Sequence, residues 1–469
     1  MENTMTNNKD PEMITGHNKG WKILRDMGLL LIIMMGLLTD VDTRGTVTEK
    51  WMQLAGPVGA VLLLIVVWRH LRGLNSVGLR GCALLMLMTL TMQLQQEDLA
   101  GRLVPMGLSM LLCTAAGLLL GMGILMLMRR LPEKRWITMA GVGAVLLLLM
   151  ADNAVIGIRF FSHRMSTGLV MVFLGVIVQG FIYSNGCSDA VRIRESLMAF
   201  VLFALFLTTN SASAEVILLA LTMLVLAAVY LEDRRGLFCL AAVLAAMAFG
   251  LLLLTQMCWN LYQSHDGDVP RIVELFAKIM NRIRRVTQMY LNPAGADIMQ
   301  AGYQPYRIRE ALQWADFTGK AWHFVQVPQA YSVCAFTTFV ITFGVLPAGM
   351  ALALLLGIFR RSATIAGAAK DRREGAVGLA FGSFLMLSGI LSAAGNVGLI
   401  PLMGYTFPIL ADSGTSLVMT VAMLACLARI PVDREEERWA IMKSRSNLVW
   451  AVSGAVVVLI LLQLLLLSQ

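Results

Sequence analysis

The stretch Gly398–Ser416, GLIPLMGYTFPILADSGTS, decides the fold. Pro401, Pro408, Gly404 and Gly414 interrupt a run that is otherwise apolar enough to enter a bilayer. Proline removes an amide donor and glycine weakens a helix, so the run does not read as one helix. Irregular backbone at membrane depth is tolerated only where protein or a wet cavity satisfies it. The expectation is a shaped re-entrant or cavity-lining element between two membrane helices. The competing reading is a tight interhelical loop.

The rest of the chain supports a membrane setting. Hydrophobic residues make up 58% and charged residues 14% of the 469, and the mean hydropathy is +0.72. A soluble core of this size carries more charge. A spanning helix needs about 20 mostly apolar residues. The sequence predicts an all-α polytopic protein with about 13 spans: 24–39, 51–68, 77–94, 103–128, 136–151, 167–184, 196–209, 214–231, 237–257, 331–358, 374–400, 414–430 and 447–467. The first twenty residues are polar and no small-residue cleavage site follows, so no cleavable signal peptide is expected.

With the N-terminus in the cytoplasm, 25 of the 38 Lys and Arg residues fall in inside segments or the helix ends beside them. The short outside loops hold five: Arg44, Lys50, Arg102, Arg159 and Arg164. This alternation sets a plasma-membrane orientation. It also accounts for the net charge of +9 without nucleic-acid binding. The order that follows is a cytoplasmic tail at 1–23, N-terminal membrane helices at 24–257 and a long extracytoplasmic loop at 258–330. C-terminal helices with the Pro/Gly motif occupy 331–430, then a charged cytoplasmic loop 431–446 and a final transmembrane helix within 447–469.

Seven cysteines form no framework: Cys82, Cys113, Cys239, Cys334 and Cys426 lie in apolar helices, and no pair has metal-ligand spacing. The five histidines are scattered. No cofactor is expected, and a divalent cation is left undetermined.

In the long loop, Pro270 starts a helical pattern. Ile272, Leu275, Phe276, Ile279, Ile283, Val286 and Met289 form the apolar stripe, with Lys278, Arg282, Arg284 and Arg285 on the polar side. Such a helix suits the membrane interface. Its cations suit lipid headgroups or a lipid-linked pyrophosphate, and a solvated basic face is the plain alternative. A turn follows at Asn292–Asp297, then Tyr303, Tyr306, Trp314 and Trp322, which read as interface anchors or sugar-stacking rings.

A basic amphipathic helix ending in an NP turn, then GYQ, a proline-led helix entry, and G-x-x-P-x-x-G-x-x-x-P with a Gly/Ser cluster together resemble the SEDS family (FtsW, RodA and SpoVE). The matched positions are Leu291, Asn292, Pro293, Gly302, Tyr303, Gln304, Gly319, Pro328, Ala330, Phe336, Gly344, Gly398, Pro401, Gly404, Pro408, Gly414 and Ser416. The resemblance covers about residues 280 to 430. It implies a bacterial membrane protein of peptidoglycan assembly, in cell division or cell-shape control. It further implies binding of a lipid II-type polyprenyl-pyrophosphate-linked sugar, glycan-strand polymerisation, and a class B penicillin-binding protein as partner. On that reading Arg282, Arg284 and Arg285 lie near the phosphates, and Arg307, Arg309 and Lys320 form a second cationic set. Gln304, Pro401, Gly404, Ser413, Gly414, Thr415 and Ser416 complete the substrate-binding set.

The chain departs from the family where the family keeps its acids. LPEAHTDFIFxxxxEELG becomes VPQAYSVCAFTTFVITFG over Val327–Gly344. The family's catalytic Asp is Val333, its first Glu is Gln329, and the Glu pair is Ile341 and Thr342. Valine accepts no proton. Either the base has moved, with Asp412 the leading candidate and Asp316 a weaker one, or the site is dead as a polymerase. Asp412 also reads as an N-cap for the helix opening at Gly414. The family's Asn ahead of the Pro/Gly motif aligns with Ser392, with Asn396 one helical turn on. The rival functions are a non-catalytic scaffold for a division or elongation partner, and a lipid-linked oligosaccharide polymerase or flippase.

Overall fold

The computed structural model describes residues 103–130, 159–160, 163–164, 167–209, 213–265, 268–291, 303–317, 327–330, 332–410, 414–431 and 436–467. The expected spans 24–39, 51–68, 77–94 and 136–151 lie outside these residues.

The helices are α1 Leu103–Arg130, α2 Thr167–Ser184, α3 Asp189–Thr209, α4 Ser213–Tyr230, α5 Arg234–Ser264, α6 Arg271–Leu291, α7 Tyr303–Gln313, α8 Ala335–Phe343, α9 Val345–Ala368, α10 Arg372–Asn396, α11 Gly414–Arg429 and α12 Glu436–Leu467. A two-residue antiparallel ladder pairs Arg159–Phe160 with His163–Arg164. Within α1, α5, α9, α10 and α12 lie five stretches long and apolar enough to cross a membrane, and α2, α4 and α11 contribute shorter apolar helices. The protein is an all-α polytopic membrane protein.

α10 is the axis of the bundle. It packs on α9, α2, α4, α11 and α8, and it is buried on every side. In lipid, helix association rests on close packing more than on apolar burial, and small residues permit the approach. α10 carries Gly375, Gly378, Gly382, Gly389 and Gly395, with serine and alanine between them. The partner helices reciprocate. A Cβ on Gly180 of α2 would meet the Val377 Cα at 2.8 Å, and Phe173 stacks on Phe381 with centroids 5.6 Å apart. α1 and α11 approach in the same way: a Cβ on Gly121 would lie 2.6 Å from the Ala422 carbonyl oxygen, and the Cys426 thiol donates to the Gly121 carbonyl at 3.1 Å.

Cationic helix ends cluster at one end of the bundle. Arg192 donates to the carbonyls of Asn185 and Tyr230 and to Asp189. Arg445 of α12 donates to the Val229 and Leu231 carbonyls at 3.3 and 2.8 Å, closing the C-terminus of α4. Arg129 of α1 meets the buried Glu374 at 2.7 Å, and Arg360 lies over Trp450 at 5.1 Å.

Two elements differ from expectation. The span 331–358 is broken at Gly344, whose φ is +97°, into the short α8 and the longer α9. The amides opening α9 are taken by the loop instead: Val345 N donates to the Asp316 carbonyl at 3.3 Å and Leu346 N to the Phe317 carbonyl at 3.4 Å. At the other end, α12 begins at Glu436, so the segment expected as a charged loop over 431–446 is helical through most of its length.

The α1–α11 contact gives a direct test. Gly121→Ala forces apart two backbones that cannot yield, at a cost of about 1–3 kcal/mol, read as a lower thermal midpoint in detergent. Gly123→Ala faces open space and leaves the midpoint unchanged or higher.

Candidate functional site

At the end of the bundle away from the cationic cluster, α10 stops at Asn396 and the chain turns back. Gly398, at φ +75°, begins the return, and the Leu399 and Ile400 amides donate to the Ala394 carbonyl at 2.9 and 3.4 Å. The backbone then runs down along α10 without helix. Leu402 Cα lies near Gly395, the Ser388 hydroxyl donates to the Thr406 carbonyl at 2.9 Å, and Phe407 reaches Gly389. Ser388 is eight residues before Asn396, so the loop descends roughly 12 Å at 1.5 Å per residue. Residues 405 and 407–410 are buried. The Pro/Gly stretch is therefore re-entrant, as its composition predicts.

A second irregular segment meets it. Val327–Cys334 turns into α8, and α8 is buried along its whole length. The Asn396 carboxamide joins the two. Its Oδ1 accepts from the Thr337 hydroxyl at 2.7 Å and the Thr337 amide at 3.4 Å. Its Nδ2 donates to the Val333 carbonyl at 3.0 Å and the Ser392 carbonyl at 2.8 Å. Phe336 stacks on Phe407, centroids 5.4 Å apart, a contact worth about 0.5–1.5 kcal/mol beyond its area.

Both segments use the same turn device. Pro328 is followed by Gln329 at φ +53°, and Pro408 by Ile409 at φ +75°. Proline followed by positive φ is the arrangement of a type II turn, whose third position favours glycine. Gln329 is exposed, whereas Ile409 is a buried β-branched residue in a conformation that such residues avoid.

The sequence-predicted residues fall in several places. Pro401 and Gly404 line the re-entrant loop, with Gly404 at φ +84°, and Gly414, Thr415 and Ser416 open α11 directly beyond it. Gln304, Arg307 and Arg309 lie on α7, which packs against α8 and α12. Arg307 is already ion-paired with Glu310 at 2.6 Å. Asp316 is exposed, its carboxylate accepts from the next residue's amide at 2.6 Å, and its carbonyl caps α9. Arg284 is directed elsewhere: on α6 it reaches back to α5, donating to Gln256 at 3.3 Å and lying over the Trp259 ring at 5.6 Å. On the same helix Lys278 is 2.6 Å from Glu274, and that hydrogen bond holds the Glu274 carboxyl below its ordinary value. Asp412, Ser413 and Lys320 lie outside the described residues, as do the side chains of Arg282 and Arg285. Among the described residues no group of His, Cys, Asp and Glu could hold a metal ion.

Val333 packs partly buried against the apolar core, and its carbonyl is held by Asn396. No carboxylate occupies 327–343. The residues that organise this end of the bundle, Asn396, Ser388 and Thr337, were not among the predicted binding set. Their signal is a polar stripe at i, i+4 and i+8 on an otherwise apolar helix, Ser388, Ser392 and Asn396.

The chain matches the model of the FtsW, RodA and SpoVE cell cycle protein family over residues 81–436. It belongs to that family. A probable peptidoglycan glycosyltransferase FtsW from Marinobacter nauticus is 27% identical over 219 residues, covering 44% of this chain and 53% of that protein. The chain thus spans about half the length of the curated relative it matches. A solved structure described as "Structural coordination of polymerization and crosslinking by a peptidoglycan synthase complex" is similar with a TM-score of 0.49 and 16% identity, covering 74% of this chain and 96% of that one. Family membership and apolar helices together make this a multi-pass bacterial membrane protein.

Two measurements check the site. Asn396→Leu strands the Thr337 hydroxyl and the Val333 carbonyl in a buried place, costing about 1–3 kcal/mol for each group left unpaired, read as a lower thermal midpoint. Gln329→Gly relieves about 1–2 kcal/mol of left-handed strain against about 0.5–1 kcal/mol of added chain entropy, so the midpoint holds or rises slightly.

Proposed function

We propose that this protein works in peptidoglycan assembly and binds a polyprenyl-pyrophosphate-linked saccharide of the lipid II type at the outer leaflet. The observation that carries this reading is the re-entrant Pro/Gly loop, held by Asn396 against the turn that carries the family's catalytic position. In this orientation the N-terminus and the cationic bundle end face the cytoplasm, in keeping with the excess of Lys and Arg there. A class B penicillin-binding protein is the partner that the family implies.

Glycan transfer requires a base to take the proton from a sugar hydroxyl as its oxygen bonds to the anomeric carbon of a second saccharide. The anomeric carbon–oxygen bond to the diphosphate breaks, and polyprenyl diphosphate leaves, its charge held by cations or amides. Position 333 cannot supply the base. Asp412, which follows the Pro/Gly stretch in sequence, is the relocated candidate. A scaffold reading also has a specific observation in its favour: Val333 is committed to apolar packing through its side chain and to Asn396 through its carbonyl. In that case the protein holds precursor or partner without turnover.

Polymerisation of labelled lipid II by the purified full chain separates the two, with and without a co-purified transpeptidase. Loss of polymer with Asp412→Ala establishes the relocated base. Wild-type protein that binds lipid II yet makes no polymer with any partner establishes the scaffold. Wild-type protein that does not bind lipid II sinks the proposal.

A further inference from the structure

Arg360 is a cation on the outside of the bundle. It lies eight residues before the end of α9, about 12 Å at 1.5 Å per residue, and it is exposed. Its guanidinium stands 5.1 Å from the centroid of the Trp450 ring on α12. Among the described residues no carboxylate pairs with it. Both residues fall inside stretches long and apolar enough to cross a membrane, Val345–Ala368 and Ser444–Leu467. An outward-facing charge at that depth is costly unless an anion meets it. The cation–π contact offsets part of the cost, and the long arginine stem lets the charge reach towards the headgroups.

The seam between α9 and α12 has a shape to match. A Cβ on Gly349 of α9 would lie 3.3 Å from Leu461 Cδ2 of α12. Eleven residues further along α9 and eleven back along α12, Arg360 meets Trp450. The two helices therefore run antiparallel and in step along this seam. Ala353 and Gly357 lie between the two contacts on α9, and Gly454 lies between them on α12. Ala353 and Gly357 follow Gly349 at i+4 and i+8, and Gly454 follows Trp450 at i+4, so all three share the faces that make the contacts. Ala353 and Gly357 are exposed, and a Cβ on Gly357 or Gly454 would meet nothing within 4 Å. The seam thus opens into a shallow groove that starts one turn from Arg360 and runs towards the middle of the membrane.

We infer that this groove binds an anionic glycerophospholipid. Its phosphate sits on Arg360, the Trp450 ring forms one wall, and an acyl chain lies over Gly357 and Gly454. Charge selects this occupant. A zwitterionic lipid brings a cation of its own to the same place, and an apolar helix of a second copy would leave Arg360 without an anion. The site belongs to the cationic end of the bundle, away from the Pro/Gly loop, and it does not rest on the proposed binding of a lipid-linked saccharide.

The test uses the purified full chain in detergent micelles and native mass spectrometry. Dioleoyl phosphatidylglycerol, dioleoyl phosphatidylcholine and glycerol 3-phosphate are the probes, and the thermal midpoint is measured alongside. Wild-type protein binds phosphatidylglycerol roughly tenfold more tightly than phosphatidylcholine, and glycerol 3-phosphate does not compete. Arg360→Gln abolishes the preference, and Arg360→Lys, which keeps the charge, retains most of it. Gly357→Leu fills the groove without touching the charge and weakens phosphatidylglycerol binding at an unchanged midpoint. If Arg360→Gln also lowers the midpoint, Gly357→Leu decides alone. Equal binding of the two lipids by wild type overturns the inference, because the contact is then ordinary boundary lipid. A full preference in Arg360→Gln overturns it as well, as does wild-type affinity in Gly357→Leu. Competition by glycerol 3-phosphate makes Arg360 a site for free phosphate and removes the lipid. A wild-type dimer that Gly357→Leu separates, with no lipid preference in either, assigns the groove to a second copy.

Discussion

One carboxamide organises the end of the bundle where the Pro/Gly loop turns back. Membrane depth forbids loose peptide groups, yet two non-helical segments sit side by side there. An asparagine side chain is in effect a spare peptide group, with an acceptor on one side and donors on the other. Asn396 uses both, accepting from Thr337 and donating to Val333, while its own helix keeps it in place through Ser392. Ser388 does the same service for Thr406 with a single hydroxyl. The irregular backbone exists because α10 supplies side chains that stand in for missing helix bonds.

α10 supplies those side chains because it is central, and it is central because its side chains are small. Glycine and serine on successive turns let α9 and α2 approach closely, and the helix has no lipid-facing side to spend on bulk. The 327–343 segment carries glutamine at 329, valine at 333, isoleucine at 341 and threonine at 342, and no carboxylate. Packing constrains α10, and at 333 a half-buried valine fits against the core.

Much of this was legible in advance. The proline and glycine spacing of 398–416 announced a re-entrant element, and long apolar runs announced α1, α5, α9, α10 and α12. Other features left no local trace. The break at Gly344 lies inside continuous apolar sequence, and it is stable because the carbonyls of Asp316 and Phe317, distant in sequence, receive the freed amides. The turns at Pro328 and Pro408 lack the glycine that advertises such a turn, with Gln329 and Ile409 at positive φ in its place. The helix α7 hid among aromatics and charges, because only Ile308, Ala311 and Leu312 carry its inward face. The cations of the long loop read as a phosphate-binding set and a second cationic set, whereas Arg284 engages Gln256 and Trp259 and Arg307 pairs with Glu310.

α5 adds a consequence of a mechanical kind. Its 31 residues reach about 46 Å at 1.5 Å per residue, against a hydrocarbon core of about 30 Å. Its apolar window is only 6% buried by the rest of the chain. The surplus length emerges as a stalk or is taken up by tilt, and α6 is fastened to the far part of it through Met280 and Arg284. The basic helix therefore lies against the half of α5 that holds Thr255 and Gln256, the half towards its C-terminus.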